Sequence, residues 1–314
     1  MKFQHWKILY NGAQAPPALQ ETNFTPLLAA ILHARGFSRE EALKFVNGGK
    51  ELLEDPLLLK DMRPAVDRIK QAVQKGEKVA VYGDYDVDGI TAACLMTDYL
   101  RSRGLDCLLY IPDRIEEGYG LNTAAIKSLY DKGVSLIITV DCGVTAAVET
   151  EYANSLGVDM IITDHHECRD ALPAALAVIN PKRPDCPYPN SSLAGVGVVF
   201  KLVCAIEENS PAVLERYGDL VAVGTIADVM PLTGENRYIT KKGLEKLNGN
   251  PRPGIAALLR EAGLAEKRLI ASNVGYSLAP RLNAAGRLGQ VEVATRLLLT
   301  EDEKEAEELA RELC

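Results

Sequence analysis

Apolar residues recur at helical spacing through the first part of the chain. TPLLAAILHARGF (25–37) is apolar at i, i+3 and i+4, Ser38-Arg39-Glu40-Glu41 reads as a capping box, and Pro64 opens PAVDRIKQAVQKG, which Gly76 stops. This predicts a mostly helical segment over 1–77, a layer supporting the next domain. From residue 78 the period changes. Short β-rich runs, KVAVYGD, CLLYIPD, LIITVDCG, MIITDHH and ALAVINP, are mostly separated by helix-like stretches, ITAACLMTDYLRSRG, NTAAIKSLYDKG and VTAAVETEYANSLG. Continuous apolar strands alternating with helices make βαβ units whose sheet is covered on both faces. The expected fold class is therefore α/β, a parallel sheet flanked by helices, over 78–300, with the helical segment before it. PKRPDCPYPNSS (181–192) is an irregular Pro-rich loop, and LAGVGVVFKLVCAIEE, GDLVAVGTIADVM and NRYITKKGLEKLNG are further helices. Residues 301–314 place Ala306, Leu309, Ala310 and Leu313 on one helical face. With no Gly, Pro or other cap after them, they read as the start of a connecting helix.

Composition narrows the class. The 314 residues are 47% hydrophobic and 25% charged, an ordinary globular balance. No run of 18 apolar residues exists, so no spanning helix and no membrane association are expected, and MKFQHWKILYNGAQAPP lacks the apolar stretch of a secretory signal. Seven cysteines without a CxxC pair argue against a disulfide framework or a Cys-rich zinc site and fit reduced thiols in a cytoplasmic protein. The net charge of −8 argues against a surface coated in basic patches. That sum hides a local contrast. Residues 231–300 hold eleven basic and five acidic side chains, and residues 301–314 hold seven acidic and two basic.

Function in open parallel sheets collects at the C-terminal strand ends. Here VAVY is followed by Asp84, Asp86 and Asp88, IITV by Asp141-Cys142-Gly143, and MIIT by Asp164-His165-His166-Glu167. Five aspartates and two histidines at three strand ends would repel strongly unless cations lay among them. Carboxylate oxygens with imidazole nitrogens and no thiolate suit Mn²⁺ or Mg²⁺ better than structural zinc. Together these motifs point to a two-metal hydrolase.

DYDVDG, VDCG and TDHHE, followed by LAGVGVVFKL, GTIADVMPL and RLNAAGRLG, resemble the motifs of the DHH phosphoesterase superfamily and, within it, the RecJ-type single-strand-specific exonucleases. The lead-in DPLLLKDMRPAVDRI is also similar, and the resemblance runs from about residue 25 to 313. It implies two Mn²⁺ or Mg²⁺ ions held by Asp84, Asp86, Asp88, Asp141, His165 and Asp228, with Asp141 bridging. His166 would face the scissile phosphate, and Asp164 would hold a histidine ring, so that Asp141, Asp164, His165 and His166 form the catalytic set. Many relatives place a metal-binding His where this chain has Tyr82, and Asp84 is expected to substitute. The implied reaction is phosphodiester hydrolysis by water activated between the ions, in 5′ to 3′ degradation of single-stranded DNA during repair and recombination. The implied protein is a monomer, with single-strand-binding protein and a helicase as partners. Such exonucleases continue into a DHH-associated domain and an OB-fold, for which residues 301–314 would be the connector. A DHH phosphodiesterase of short oligonucleotides or cyclic dinucleotides, a pyrophosphate hydrolase, and a non-catalytic nucleic-acid scaffold are the other readings.

Residues 281–289 place Arg281, Asn283 and Arg287 in what reads as a glycine-containing turn suited to phosphate oxygens. Arg114 and Tyr119 lie in the loop after the second strand, where Tyr119 suits stacking on a base. Ser192-Leu-Ala-Gly195-Val-Gly197 precedes a helix whose amides either receive a phosphate or serve close packing. Lys241, Lys242 and Lys246 read as either a solvated helix face or a backbone-tracking stripe.

Overall fold

In a computed structural model, which describes residues 16, 19–20, 22–113, 117–118, 120–169 and 171–314, the chain divides into a unit ending at Leu53 and a unit running Glu54–Cys314. The first contains helices α1 (Pro26–Ala34) and α2 (Arg39–Asn47). Thr25 caps α1, and the reciprocal Ser38–Glu41 hydrogen bonds form the capping box expected at α2. Leu19, Ala29, Leu32 and Ala42 are its buried centre, flanked by Phe24, Phe37 and Phe45.

The second unit is built on five parallel strands, β1 (Lys78–Gly83), β2 (Asp106–Tyr110), β3 (Leu136–Val140), β4 (Asp159–Thr163) and β5 (Ala177–Ile179), in the order β2-β1-β3-β4-β5. All five arise from the β-rich runs of the sequence. Between β1 and β3 the register pairs Val79 with Leu136 and Gly83 with Val140. Helices α3 (Met62–Lys75), α4 (Val87–Ser102), α5 (Thr123–Asp131) and α6 (Ala147–Ser155) alternate with the strands. Ala80, Tyr82, Ile137 and Met160 on one sheet face pack with Ala125, Ile126 and Leu129 of α5 and Ala153 of α6. The other face carries α4 and α7 (Gly195–Glu207).

Helix α4 is buried from Val87 to Thr97 and again at Tyr99 and Leu100. It lies between the sheet and a further layer of α8 (Ser210–Ala227) and α13 (Val291–Leu299), which is why it is buried on nearly every side. The remaining helices are α9 (Gly234–Gly249), α10 (Pro253–Glu261), α11 (Ala271–Asn273), α12 (Ala279–Arg287) and α14 (Glu303–Glu312). Ala306, Leu309 and Ala310 turn the apolar face of α14 onto its neighbours α10 and α13 and leave its acids outward. Among the described residues, no helix is long and apolar enough to cross a membrane. All seven cysteines are free thiols.

RLNAAGRLG is not a turn. Arg281, Asn283 and Arg287 all lie in α12, which continues a π-helical stretch, Val274–Leu278. Gly286 sits inside that helix because a Cβ there would come 2.1 Å from the Tyr85 carbonyl oxygen. Its signal is close backbone approach, which in sequence looks like turn chemistry.

Candidate metal centre

The chain leaves β1 toward β2 on one side and returns to β3 on the other, so the crevice of the sheet opens at the C-terminal ends of β1 and β3. Asp84 follows β1, Asp141 follows β3, and Asp164, His165 and His166 follow β4, on three adjacent strands. The strand-end hydrogen bonds continue one step further, with Asp141 N–H donating to Thr163 O at 3.0 Å and Asp164 N–H to Ile179 O at 3.1 Å. Asp141 itself has φ of 61°, the left-handed conformation that aspartate tolerates better than most residues.

Among the described residues, three groups of side chains bring ligand atoms within 4.8 Å of one another: Asp84, Asp86 and Asp141; Asp88, His165 and Asp228; and Asp141, His165 and His166. Asp141 and His165 each belong to two groups and join the set into one cluster. His165 Nε2 lies 3.1 Å from Asp141 Oδ1, 3.7 Å from Asp228 Oδ2 and 3.8 Å from Asp88 Oδ2. Tyr82, by contrast, is in the core, its hydroxyl donating to Gly120 O, and Asp84 occupies the cluster.

The electrostatics fit a cation site. Burial, reinforced by Asp88 and Asp86, pushes Asp141 well above the usual carboxylate range, and its buried Oδ1 makes a hydrogen bond with no donor among the described residues. Burial with Asp86 and Asp228 does the same to Asp88, against the opposing backbone hydrogen bonds of Val196 and Gly195. Burial and Asp86 raise Asp84 to about 7 and Asp228 to about 6. Burial and then His166 lower His165 to about 4, which keeps its imidazole neutral and able to ligate. A buried excess of carboxylate around a neutral imidazole matches the donor set of Mn²⁺ or Mg²⁺. Two cations would relieve the repulsion that otherwise holds these groups away from ionisation.

Several neighbours hold this cluster without joining it. Asp164 is fully engaged. Its Oδ1 accepts from His165 N–H at 2.7 Å and His166 N–H at 3.0 Å and lies 2.8 Å from His166 Nδ1, while its Oδ2 accepts from Val144 N–H at 2.8 Å. Burial alone would raise its pKa, but the His166 and Val144 hydrogen bonds hold it below the ordinary value. The ring that Asp164 orients is therefore His166. The α7 N-terminus, read in sequence as a phosphate receiver or a packing contact, takes the protein's own carboxylate. Asp88 Oδ2 accepts from Gly195 N–H at 2.6 Å and Oδ1 from Val196 N–H at 2.8 Å. Asn283 Oδ1 accepts from Val87 N–H at 3.1 Å and so braces the loop that carries Asp84 and Asp86.

Residues 78–225 match the DHH family, N-terminal domain. The chain belongs to the DHH family. Among its relatives, the single-stranded-DNA-specific exonuclease RecJ of Bacillus subtilis is 45% identical over 94% of this chain and 37% of its own length. RecJ of Escherichia coli is 41% identical over 92% of this chain and 52% of its own length. This chain thus spans about a third to a half of these RecJ sequences. Among solved structures, an exonuclease RecJ bound to manganese aligns with a TM-score of 0.75 at 38% identity, covering 83% of this chain and 66% of that one. RecJ from Thermus thermophilus in complex with Mn²⁺ aligns with a TM-score of 0.80 at 34% identity, covering 96% of this chain and 44% of that one.

In this DHH fold Asp228 sits at the C-cap of α8, where the helix closes with Val229 N–H donating to Ile226 O and Met230 N–H to Thr225 O. That closure puts Val229 at φ of 57°, a conformation that suits glycine and strains a β-branched residue, and leaves its side chain 85% exposed. Val229→Gly is expected to raise stability by about 1 kcal/mol, the lower end of the cost of such strain. Urea unfolding of the apo-protein measures it, and an unchanged or lower stability would show that the turn is relaxed. Arg281 is half-buried, its Nη1 donating to Ser277 O at 2.7 Å, and Arg287 is exposed. Lys242 pairs with Glu245 at 2.6 Å. Arg114 and Tyr119 lie outside the described residues.

Proposed function

We propose that this chain is the catalytic portion of a metal-dependent exonuclease that degrades single-stranded DNA from its 5′ end by phosphodiester hydrolysis. The observation that carries this reading is the pair of ligand groups joined through Asp141 and His165 at adjacent strand ends. The substrate is taken from the RecJ relatives, named as single-stranded-DNA-specific exonucleases.

Asp84, Asp86 and Asp141 would hold one ion and Asp88, His165 and Asp228 the other. Bound there, Mn²⁺ or Mg²⁺ ions supply an activated water and charge compensation for the phosphate oxygens during in-line displacement. The protein then has no need of a side-chain nucleophile. His166, its Nδ1 fixed by Asp164, would donate to a phosphate oxygen. Arg281 and Arg287 would take backbone phosphates further along the strand, and Arg114 and Tyr119 a phosphate and a base. Asn283 would contribute through the metal loop it braces. This assignment places the protein in the cytoplasm as a monomer acting in DNA repair and recombination, with single-strand-binding protein and a helicase as its working partners.

The test compares 5′-labelled single-stranded DNA, duplex DNA, short oligonucleotides and cyclic dinucleotides with Mn²⁺. Release of 5′ nucleotides from the single strand in preference to the duplex is the expected result. Preference for cyclic dinucleotides, or equal cleavage of duplex, overturns the substrate assignment.

A further inference from the structure

Lys201 and Glu235 form an ion pair at 2.6 Å with no solvent exposure on either side chain. Both charges are fully partnered. Lys201 Nζ also donates to Glu54 O at 2.8 Å and lies 5.7 Å from the centre of the Tyr188 ring. Glu235 Oε1 accepts from Tyr188 Oη at 2.6 Å and from Asn190 Nδ2 at 3.1 Å, and Oε2 accepts from Glu54 N–H at 3.3 Å. A buried pair of this kind is costly to desolvate and a poor device for stability alone. It does fix geometry: Glu235 Oε1 holds the Asn190 amide, whose Nδ2 also reaches the next residue, Asn236.

Asn236 is buried, and its amide is fully used. Nδ2 donates to Ser192 O at 2.6 Å and to Pro231 O at 3.1 Å, and Oδ1 accepts from Asn190 Nδ2 at 3.2 Å. The opposite amide orientation would set its oxygen against two carbonyls, so the network selects this one. Asn190 is itself anchored, its Oδ1 accepting from Ser192 N–H at 3.0 Å. One amide group therefore clamps two segments. Ser192 begins the stretch whose Gly195 and Val196 amides hold Asp88. Pro231 directly follows the strained turn that starts at Asp228, passes through Val229 and closes with Met230 N–H on Thr225 O. Asp88 and Asp228 are two of the three residues in one ligand group, and the clamp ties together the segments that adjoin them.

We infer that Asn236, oriented by the buried Lys201–Glu235 pair and by Asn190, is a positioning residue that sets the spacing of Asp228 against Asp88 and His165, an inference that rests on the two-ion reading of the site. Without the clamp, the Val229 turn is free to relax its strain and carry Asp228 away from its partners.

Mn²⁺ titration by calorimetry of the whole chain tests this, with Asp228→Ala marking which binding step belongs to that group. Asn236→Ala should weaken the same step about 10- to 100-fold, the usual effect of removing a residue that orients a ligand. The other step should stay within about threefold. If Asn236→Ala does not fold, Asn190→Ala removes the support of the clamp at Asn236 Oδ1 and at Ser192 N–H and should weaken the same step severalfold. Loss of both steps together in proportion to a lower apo-protein melting temperature would mark a merely structural role and overturn the inference. Two-ion binding by the wild type that neither variant alters overturns it as well. A wild type that fails to bind two ions overturns the underlying reading and this inference with it.

Discussion

Asp141→Asn is expected to make the metal-free protein more stable and the metal-dependent protein inactive. The Asp141 carboxylate is buried beside Asp88, Asp86 and Asp84, and its Oδ1 has no hydrogen-bond donor among the described residues. An amide of the same shape removes the like-charge repulsion and offers N–H donors to the neighbouring carboxylates. Relieving an unsatisfied buried polar group is worth about 1–3 kcal/mol. In a protein of this size that corresponds to roughly 2–4 °C per kcal/mol in melting temperature in the presence of a chelator. Excess Mn²⁺ should reverse the ranking. A ligand at a hundred times its dissociation constant stabilises a folded protein by about 2.7 kcal/mol, which the wild type gains. The variant loses the group that joins the two ligand sets and should gain little. Its hydrolytic rate should fall by more than about a thousand-fold, beyond the effect of deleting one transition-state hydrogen-bond donor. Differential scanning of both proteins in chelator and in Mn²⁺ gives the comparison. A Mn²⁺-dependent rise in the variant equal to that of the wild type would remove Asp141 from the ligand set.

The two glycines of LAGVG should separate sharply. A Cβ on Gly195 would stand 2.4 Å from Asp141 Oδ1 and 2.5 Å from its Cβ, contacts that real side chains do not make. Gly195→Ala must therefore shift either the start of α7 or the Asp141 side chain. Either movement disturbs the site, because the Gly195 and Val196 amides hold Asp88. Overpacking of this kind costs about 1–3 kcal/mol, and here it should also weaken Mn²⁺ binding at least tenfold, as loss of a supporting contact does elsewhere. A Cβ on Gly197 meets only Leu193 side-chain carbons, the nearest at 3.4 Å. Gly197→Ala also exchanges a poor helix former for the best one, so stability should be unchanged or rise by up to about 1 kcal/mol with Mn²⁺ binding intact. Titration and urea unfolding of the two variants decide the matter. Equal tolerance at both positions would mean that Gly195 is not shaped around Asp141.

The chain is legible in sequence where its signals are local. Five continuous apolar runs mark five parallel strands, and acids directly after three of them mark the crevice, because a parallel sheet delivers every strand end to the same edge. The N-terminal helices, the Ser38 capping box and the outward acids of α14 follow from period and cap chemistry in the same way. Asp228 is different. Nothing local distinguishes it from any other helix-end aspartate, and only the resemblance to DHH proteins singled it out.

What the sequence determined is therefore the strand order of the chemistry: which residue types arrive at the sheet edge, and that their charge calls for cations. Only the tertiary structure decided which of them meet and what holds them there. The α7 amides reach Asp88 across 107 positions and Asn283 reaches Val87 across 196, pairings that no local periodicity encodes. Gly195 and Gly286 read as packing or turn glycines until the chain folds and brings Asp141 and the Tyr85 carbonyl against them. Asn236, one polar residue at a helix start, becomes a clamp because folding places Ser192 and Pro231 on either side of its amide. Hydrophobic period is written along the chain, whereas the partners of a buried polar group are fixed by the packing of distant segments, since an unpaired one would cost more than the fold can spare.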